Sequence, residues 1–480
     1  MKRIIKYFLP LIFPEGICPG EDSNGNVNLI ARDGQGNPVL RGTSIAGVLR
    51  TSFAEYVCGD RFGEEVSFWF GEKCDSKNPI GRQPSKLSIP DCIFKDDVGG
   101  QLSVPINTHN AVNRHSGAVL DKSLFSIEKL PPGVKVNLII KLDCEDLNDD
   151  EIKNFSNFIY LTFSNAIYMG GNLARGIGYA KLIKENAGFS DYKLDDYNQL
   201  KKFLNDEYQI REQKIELVPD KTFDELKSEE NIENKNSILN VEVKLTISRG
   251  QDLVIGDTNA LDYDVQMQSV TGADGKKYWR LPGSSFRGVF RNWFNRLAAK
   301  DGFDVADNIM DYFQKGIPTA DELAWCRIPK EQRKEFQKHP ENIPCVVSKL
   351  FGSLFAKGRI HFRDIIIPEK NLNVQHRMHV AIDMISGGAN EGSLFDNNVL
   401  TDKDNNIFNL NISLKSPTEQ EIKWLIKTLH AIDSGLLRVG SSKAAGRLSI
   451  ENISAMGPLS ELFNNESWIG NNSYSTWRIK

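Results

Sequence analysis

The chain has 480 residues, with 59 Lys and Arg against 63 Asp and Glu and a formal net charge of -4. That balance excludes a protein that coats nucleic acid over its whole surface, but not a basic groove on an acidic body. With 40% hydrophobic and 25% charged residues, wholesale disorder is excluded and two domain-sized cores are affordable.

In chain order, residues 4–13 read as a first β-strand: Lys6 breaks the apolar run and no small-residue cleavage site follows, so a signal peptide is not expected. Gly42-Thr43-Ser44 opens a helix, with Ser44 or Thr43 as N-cap and Ile45, Val48, Leu49, Ser52 and Tyr56 facing inward. A second helix is expected from Asp150 to Met169, then a glycine-rich block at 170–178 and a closing strand to Ile183. Residues 186–236 are polar and read as a linker. The alternation in Ile238–Ile247 starts a second unit, with a helix capped by Ser284 or Ser285 and an inward stripe of Phe286, Val289, Phe290, Trp293 and Leu297. An insertion over 301–344 reads as helical decoration, and Thr418–Leu436 precedes a second glycine-rich block at 440–446.

Four blocks recur in the same order. Val39–Arg50 matches Arg280–Arg291; Val66–Gly71 matches Val347–Gly352; His109 through Phe125 matches His379 through Phe395; and Gly170–Gly176 matches Gly440–Gly446. The chain is therefore expected to hold one domain twice: a first domain over 1–185, the linker, and a second domain over 237–480. Strand, helix, middle strands, helix and final strand is the order of an α+β, ferredoxin-like or RNA-recognition-type sandwich.

The chemistry follows from those blocks. A glycine and two hydroxyl residues at a helix start expose amides to an anion, although the same residues serve as a plain cap. Five basic residues and no acidic one lie between Arg280 and Lys300, which points to a polyanion. Phosphate contacts are expected from Arg50, Arg175, Arg287, Arg291 and Lys443. Glycine loops that follow helices disfavour a mononucleotide site and suit close approach of a polymer backbone, or simply a tight connection. The seven cysteines contain no CxxC pair, so neither a disulfide framework nor a zinc knuckle is indicated, and a reducing cytoplasm is expected. No apolar stretch reaches the roughly 20 residues of a membrane span. His109 and His379 recur without metal-ligand spacing and suit a structural or stacking role. The acidic loop with Asp257, Asp262 and Asp264 reads either as turn-forming or as holding a divalent ion; Asp22 and Asp33 are its imperfect counterparts.

The Pro282–Arg291 and Arg41–Arg50 helix starts, the Ser-Gly and Leu-Phe segments and the glycine loops resemble the RAMP superfamily of CRISPR-associated proteins, in particular the backbone subunits of type III effectors. Two units in one chain look like the tandem fusion of type III-D variants. The resemblance implies a ferredoxin-like core per unit with a β-hairpin thumb, and a guide crRNA bound through Arg41, Thr43, Ser44, Arg50, Gly170, Gly171, Arg175, Ser284, Ser285, Arg287, Arg291, Ser441, Ser442 and Lys443. It implies complementary target RNA and other subunits of a type III effector as partners, and cleavage of the target with Mg2+ or Mn2+ at Asp264, with Asp262, Asp257, Asp22 and Asp33 as further candidates. A scaffold without activity and a guide-precursor nuclease using His109 or His115 are the alternative readings.

Overall fold

The computed structural model describes residues 2–24, 27–58, 63–72, 83–95, 100, 102–109, 124–165, 167–205, 238–256, 265–303, 305, 345–352, 357–371, 374–401, 407–440 and 446–464. The first unit runs β1 (Arg3–Phe13), β2 (Gly20–Asn24), β3 (Val27–Ile30), β4 (Val39–Leu40), α1 (Gly42–Phe53), α2 (Glu64–Phe70), β5 (Leu87–Ser88), β6 (Cys92–Ile93), β7 (Ile106–His109), β8 (Phe125–Glu128), β9 (Val134–Asp143), α3 (Asp149–Ser164), β10 (Ile167–Tyr168), β11 (Tyr179–Leu182), β12 (Gly188–Lys193) and α4 (Tyr197–Asn205). The second runs β13 (Ile238–Ile247), β14 (Asp252–Leu253), β15 (Ser269–Thr271), β16 (Lys277–Leu281), α5 (Gly283–Lys300), α6 (Val346–Phe351), β17 (Ile360–Phe362), β18 (Ile365–Pro368), β19 (Val374–Ile382), β20 (Ala389–Thr401), β21 (Phe408–Lys415), α7 (Glu419–Asp433) and β22 (Leu448–Met456).

The two central sheets have one topology. Neighbours run β11-β1-β9-β5 in the first unit and β22-β13-β21-β17 in the second, all antiparallel. In a βαββαβ chain this is the spatial order fourth, first, third, second strand, so the protein is two tandem ferredoxin-like domains. Each also carries an antiparallel strand pair, β7–β8 in the first unit and the β19–β20 hairpin in the second. Alternation explains the sheets: along β9, Val134, Val136, Leu138, Ile140 and Leu142 are buried on one face.

Helices close each core from that face. In the first domain Phe53, Trp69, Phe155 and Phe158 cluster, with Trp69 stacked on Phe155 at 4.3 Å and Phe53 edge-on to Phe158 at 4.9 Å. In the second, Phe294 meets Phe351 at 5.2 Å and Trp424 at 6.1 Å. Such pairs add about 0.5–1.5 kcal/mol each beyond area burial. The buried stripe of α5 is Phe286, Phe290, Phe294 and Ala298, whereas Trp293 and Leu297, expected inward, are half-buried. Strict i, i+4 spacing places the stripe there, because Phe294 sits where Phe53 sits in the first domain.

The expected caps are corrected as well. Arg41 and Pro282 occupy the N-cap positions, with no side-chain cap bond, and Thr43, Ser44, Ser284 and Ser285 lie within the first turns. The second helices do carry side-chain caps: Asn148 with Glu151, and Thr418 with Glu421, form reciprocal capping boxes. The first domain also extends past residue 185, since β12 pairs with β1 from Phe8↔Gly188 to Arg3↔Lys193 and α4 follows. The rest of the expected linker and nearly all of the 301–344 insertion lie outside the described residues.

The domains meet through polar contacts. Glu15 pairs with Arg363 and Glu55 with Lys415; the Tyr168 hydroxyl donates to Ser413 Oγ at 3.1 Å; and the Ala273 and Asp364 amides donate to the Pro132 and Gly176 carbonyls at 2.8 Å. A cleft of about 840 Å³ lies between them, lined by Glu15, Lys135, Lys244, Tyr278 and Arg363. Burial pushes the Glu15 carboxyl up to about 7 against the pull of Arg363.

His361 stacks on Tyr168 at 4.5 Å, and burial, with the charges of Lys357, Lys415 and Arg287, pushes it down to about 3. Unfolded, it titrates near 6.5. Between those values the unfolded chain binds the extra proton, so this contribution is complete above about pH 6.5 and is lost as pH falls towards 3. Glu15 has the opposite sign below about pH 7, so the difference between variant and parent is the informative quantity. His361→Gln is expected to show a shallower decline of the urea midpoint than the parent between about pH 6.5 and 4; parallel declines would refute the assignment.

Candidate nucleic-acid interface

Both helix starts are built alike. The Gly42 amide donates to Asp91 Oδ1 at 2.8 Å, and the Gly283 amide to Asp364 Oδ1 at 2.8 Å. Glycine is required at each: a Cβ on Gly42 would lie 1.9 Å from the Ile89 carbonyl oxygen, and one on Gly283 2.2 Å from that of Phe362. A guanidinium completes each carboxylate, Arg41 Nη1 at 3.2 Å from Asp91 Oδ2 and Arg280 Nε at 2.5 Å from Asp364 Oδ2. A carboxylate at the positive end of a helix dipole is favourable, so the first amide is already occupied by the protein's own anion. The sequence reading missed Asp91 and Asp364; Pro90–Phe94 and Arg363–Ile367, each an Asp leading into an apolar run, are the signal that pairs them.

Arg50 and Arg287 brace the next helix. Arg50 Nη1 donates to the Gly71 carbonyl at 2.8 Å, and Arg287 Nη2 to that of Phe351, at the ends of α2 and α6. In the first domain Arg41, Ser44, Gly170 and Gly171 line one cleft of about 260 Å³ with Val39, Leu40 and Met169. The Gly170 turn packs against the Cys18 carbonyl and Gly440 against that of Val254, both with positive φ.

The largest convergence lies at the domain junction. The turn Leu173–Arg175 packs on α5 and β17, and Gly176 covers Asp364, whose side chain is 0% exposed. The Arg175 guanidinium lies over the Phe125 ring, 4.5 Å from its centroid, without a hydrogen-bond or ion-pair partner among the described residues. Burial and Arg280 push Arg175 down to about 10; burial, Arg291 and Arg175 do the same to Arg287. His109, tilted over Phe125 at 5.7 Å, is pushed down to about 3 by burial and by Arg175, Arg280 and Lys129. Three expected phosphate contacts, Arg175, Arg287 and Arg291, thus share one positive field, which Arg280 joins although sequence reasoning gave it no role.

The described residues next to the acidic segment are held by their own contacts. Asp257, Asp262 and Asp264 lie outside the described residues, but Gly256, before them, accepts from Gln268 Nε2 at 2.9 Å, and Gln268 Oε1 accepts from Arg280 Nη1 at 3.3 Å. Val265, after them, bridges Asn397 at the β19–β20 hairpin. Ser441, Ser442, Lys443 and His115 are also outside the described residues. Asp22 is on β2. Asp33 folds a turn, accepting from the Gln35 and Asn37 amides at 2.8 Å and from Asn37 Nδ2 at 2.9 Å, and the Asn37 bond holds it below the usual carboxylate range. Among the described residues no group of three His, Cys, Asp or Glu could hold a metal ion, and no helix is long and apolar enough to cross a membrane.

No curated protein matches the chain at a significant level. The model of the RAMP superfamily matches residues 10–181 and 267–448, one stretch in each ferredoxin-like domain and most of the chain together. The chain belongs to the RAMP superfamily, with a copy of the family's domain in each half.

Proposed function

We propose that this chain is a guide-RNA-binding backbone subunit of a CRISPR type III effector, of the tandem type III-D kind, and that its second domain cleaves the complementary target RNA. The observation that carries binding is the convergence of Arg175 from the first domain with Arg280, Arg287 and Arg291 from the second around one helix start. Phosphates follow such a field whatever the base sequence, so selection falls to base pairing with the guide. Cleavage rests on the family resemblance and on Gln268, which links Gly256, the residue before the acidic segment, to Arg280.

Three carboxylates, Asp257, Asp262 and Asp264, are hard oxygen donors of the kind that hold Mg2+ or Mn2+. A bound divalent ion would stabilise charge at the scissile phosphate while the target's own 2′-hydroxyl attacks. Asp264 is the first candidate to hold it. His109, kept neutral near the arginines, is a poor general acid, which speaks against a metal-independent guide-processing site there. In the assembled complex Asp264→Ala is expected to remove one target-RNA cut and leave guide binding intact. An unchanged product ladder would remove Asp264 from the mechanism and favour a scaffold.

A further inference from the structure

One carboxyl at the domain junction is only half satisfied. Glu15 lies in the turn after β1, where the Gly16 carbonyl accepts from the Gly178 amide at 2.9 Å, and it crosses to Arg363, between β17 and β18 of the second domain. Its side chain is 5% exposed. Arg363 approaches one oxygen alone: Nε, at 2.8 Å, and Nη2 both donate to Oε1. Oε2 is buried and accepts no hydrogen bond among the described residues. The strong arginine–carboxylate pair is a fork with a donor on each oxygen. Here the charge on Oε2 has no donor, whereas a proton on that oxygen leaves both bonds to Oε1 in place. Arg363 keeps a second partner in either state, because its guanidinium lies over the Tyr179 ring, 4.0 Å from the centroid.

The surrounding groups do not supply the missing donor. In the first domain, burial raises Tyr168 on β10 and Tyr179 on β11, so both stay neutral, and Lys135 on β9 lines the cleft beside Glu15. In the second, Lys244 on β13 lines the same cleft with Tyr278, whose hydroxyl donates to Asp274, and Lys415 on β21 is paired with Glu55. Asp364, held by Arg280, adds repulsion, and His361, two residues before Arg363, is kept neutral. Burial outweighs the pull of Arg363 and pushes the carboxyl up to about 7.

We infer that a proton on Glu15 fastens the two domains together, so that the joint bringing Arg175 to Arg280 is firm in mild acid and loosens above neutrality. The inference rests on the joint and not on RNA binding. With the domains apart, Glu15 titrates near its ordinary 4.5. Between that value and about 7 the closed joint binds the extra proton, so this contribution is complete below about 4.5 and is lost as pH rises through about 7. His361 acts in the opposite sense, and comparison with Glu15→Gln, whose amide copies the protonated carboxyl, cancels it.

Amide hydrogen exchange of the full chain, read by mass spectrometry, reports opening at Ala273 and Asp364, whose amides donate across the joint to Pro132 and Gly176. After correction for the intrinsic pH dependence of exchange, the opening constant of the parent relative to Glu15→Gln should rise about tenfold from pH 6 to pH 8. Arg363→Met, which takes the guanidinium from the carboxyl, should make that rise larger when compared with the same change on the Glu15→Gln background. A constant ratio overturns the proposal, as does one that rises in acid, the behaviour of an ordinary ion pair, or an Arg363→Met rise no larger than the parent's. Protection of the β9 and β13 amides in the same digests separates opening of the joint from unfolding of either domain.

Discussion

Asp364→Ala should destabilise the second domain by about 3–5 kcal/mol, the usual cost of removing one partner from a buried ion pair. The carboxylate is fully buried and has two tasks, accepting from Arg280 Nε at 2.5 Å and from the Gly283 amide at 2.8 Å. Without it the Arg280 guanidinium, 5% exposed, stays buried beside Arg175 with its countercharge gone, and the first amide of α5 loses its acceptor. Asp91→Ala removes the same bonds from the first domain, but there the ion pair is 45% and 41% exposed, so the loss should be about 1 kcal/mol. Urea unfolding followed by tryptophan fluorescence, in versions of the chain that keep Trp69 alone for the first domain or Trp424 alone for the second of its seven tryptophans, separates the two. Equal losses for both substitutions would mean that coverage by the first domain's glycine turn does not desolvate the second helix start.

That asymmetry marks the limit of what the sequence makes legible. The core strands are visible because alternation is local: Ile238–Ile247 matches the expected strand at both ends, and β1 begins one residue earlier than expected and ends at the expected Phe13. The duplication is visible because helix starts and glycine turns need particular residues, Gly42 and Gly283 where a carbonyl approaches and Gly170 and Gly176 at positive φ. The carboxylates that complete those helix starts are not visible. Asp91 is 49 residues from Gly42 and Asp364 is 81 from Gly283, and a contact made across a fold leaves no period in the chain. The same reason hides β12, whose polar sequence resembles a linker until β1 offers it an edge. The caps were misread because Ser and Thr beside glycine have the local features of a cap, while the distant carboxylate does that work. What the chain does not reveal is grouping: Arg175 and Arg287, in different domains and different repeat blocks, meet at one junction.

Arg175→Ala should weaken binding of single-stranded RNA about tenfold or more, since a hydrogen bond to a charged group contributes roughly 1.5–3 kcal/mol. Arg175 is the best of the expected contacts because its guanidinium donors are unspent: the group rests on Phe125 at 4.5 Å and has no hydrogen-bond partner among the described residues. Its pKa near 10 leaves it charged at neutral pH, and the repulsion from Arg280 that contributes to that shift is what an arriving phosphate would relieve. The loss should be the same for unrelated sequences, and the log–log dependence of affinity on salt should become shallower by about 0.7, one phosphate contact on a single strand. Arg287→Ala should behave differently. That guanidinium already holds the Phe351 carbonyl at the end of α6, so part of its effect should appear as lowered stability of the second domain without RNA. Fluorescence anisotropy across a salt series, with urea unfolding of the same preparations, distinguishes the two arginines. An Arg175→Ala protein with unchanged affinity and slope would move the RNA path off the junction.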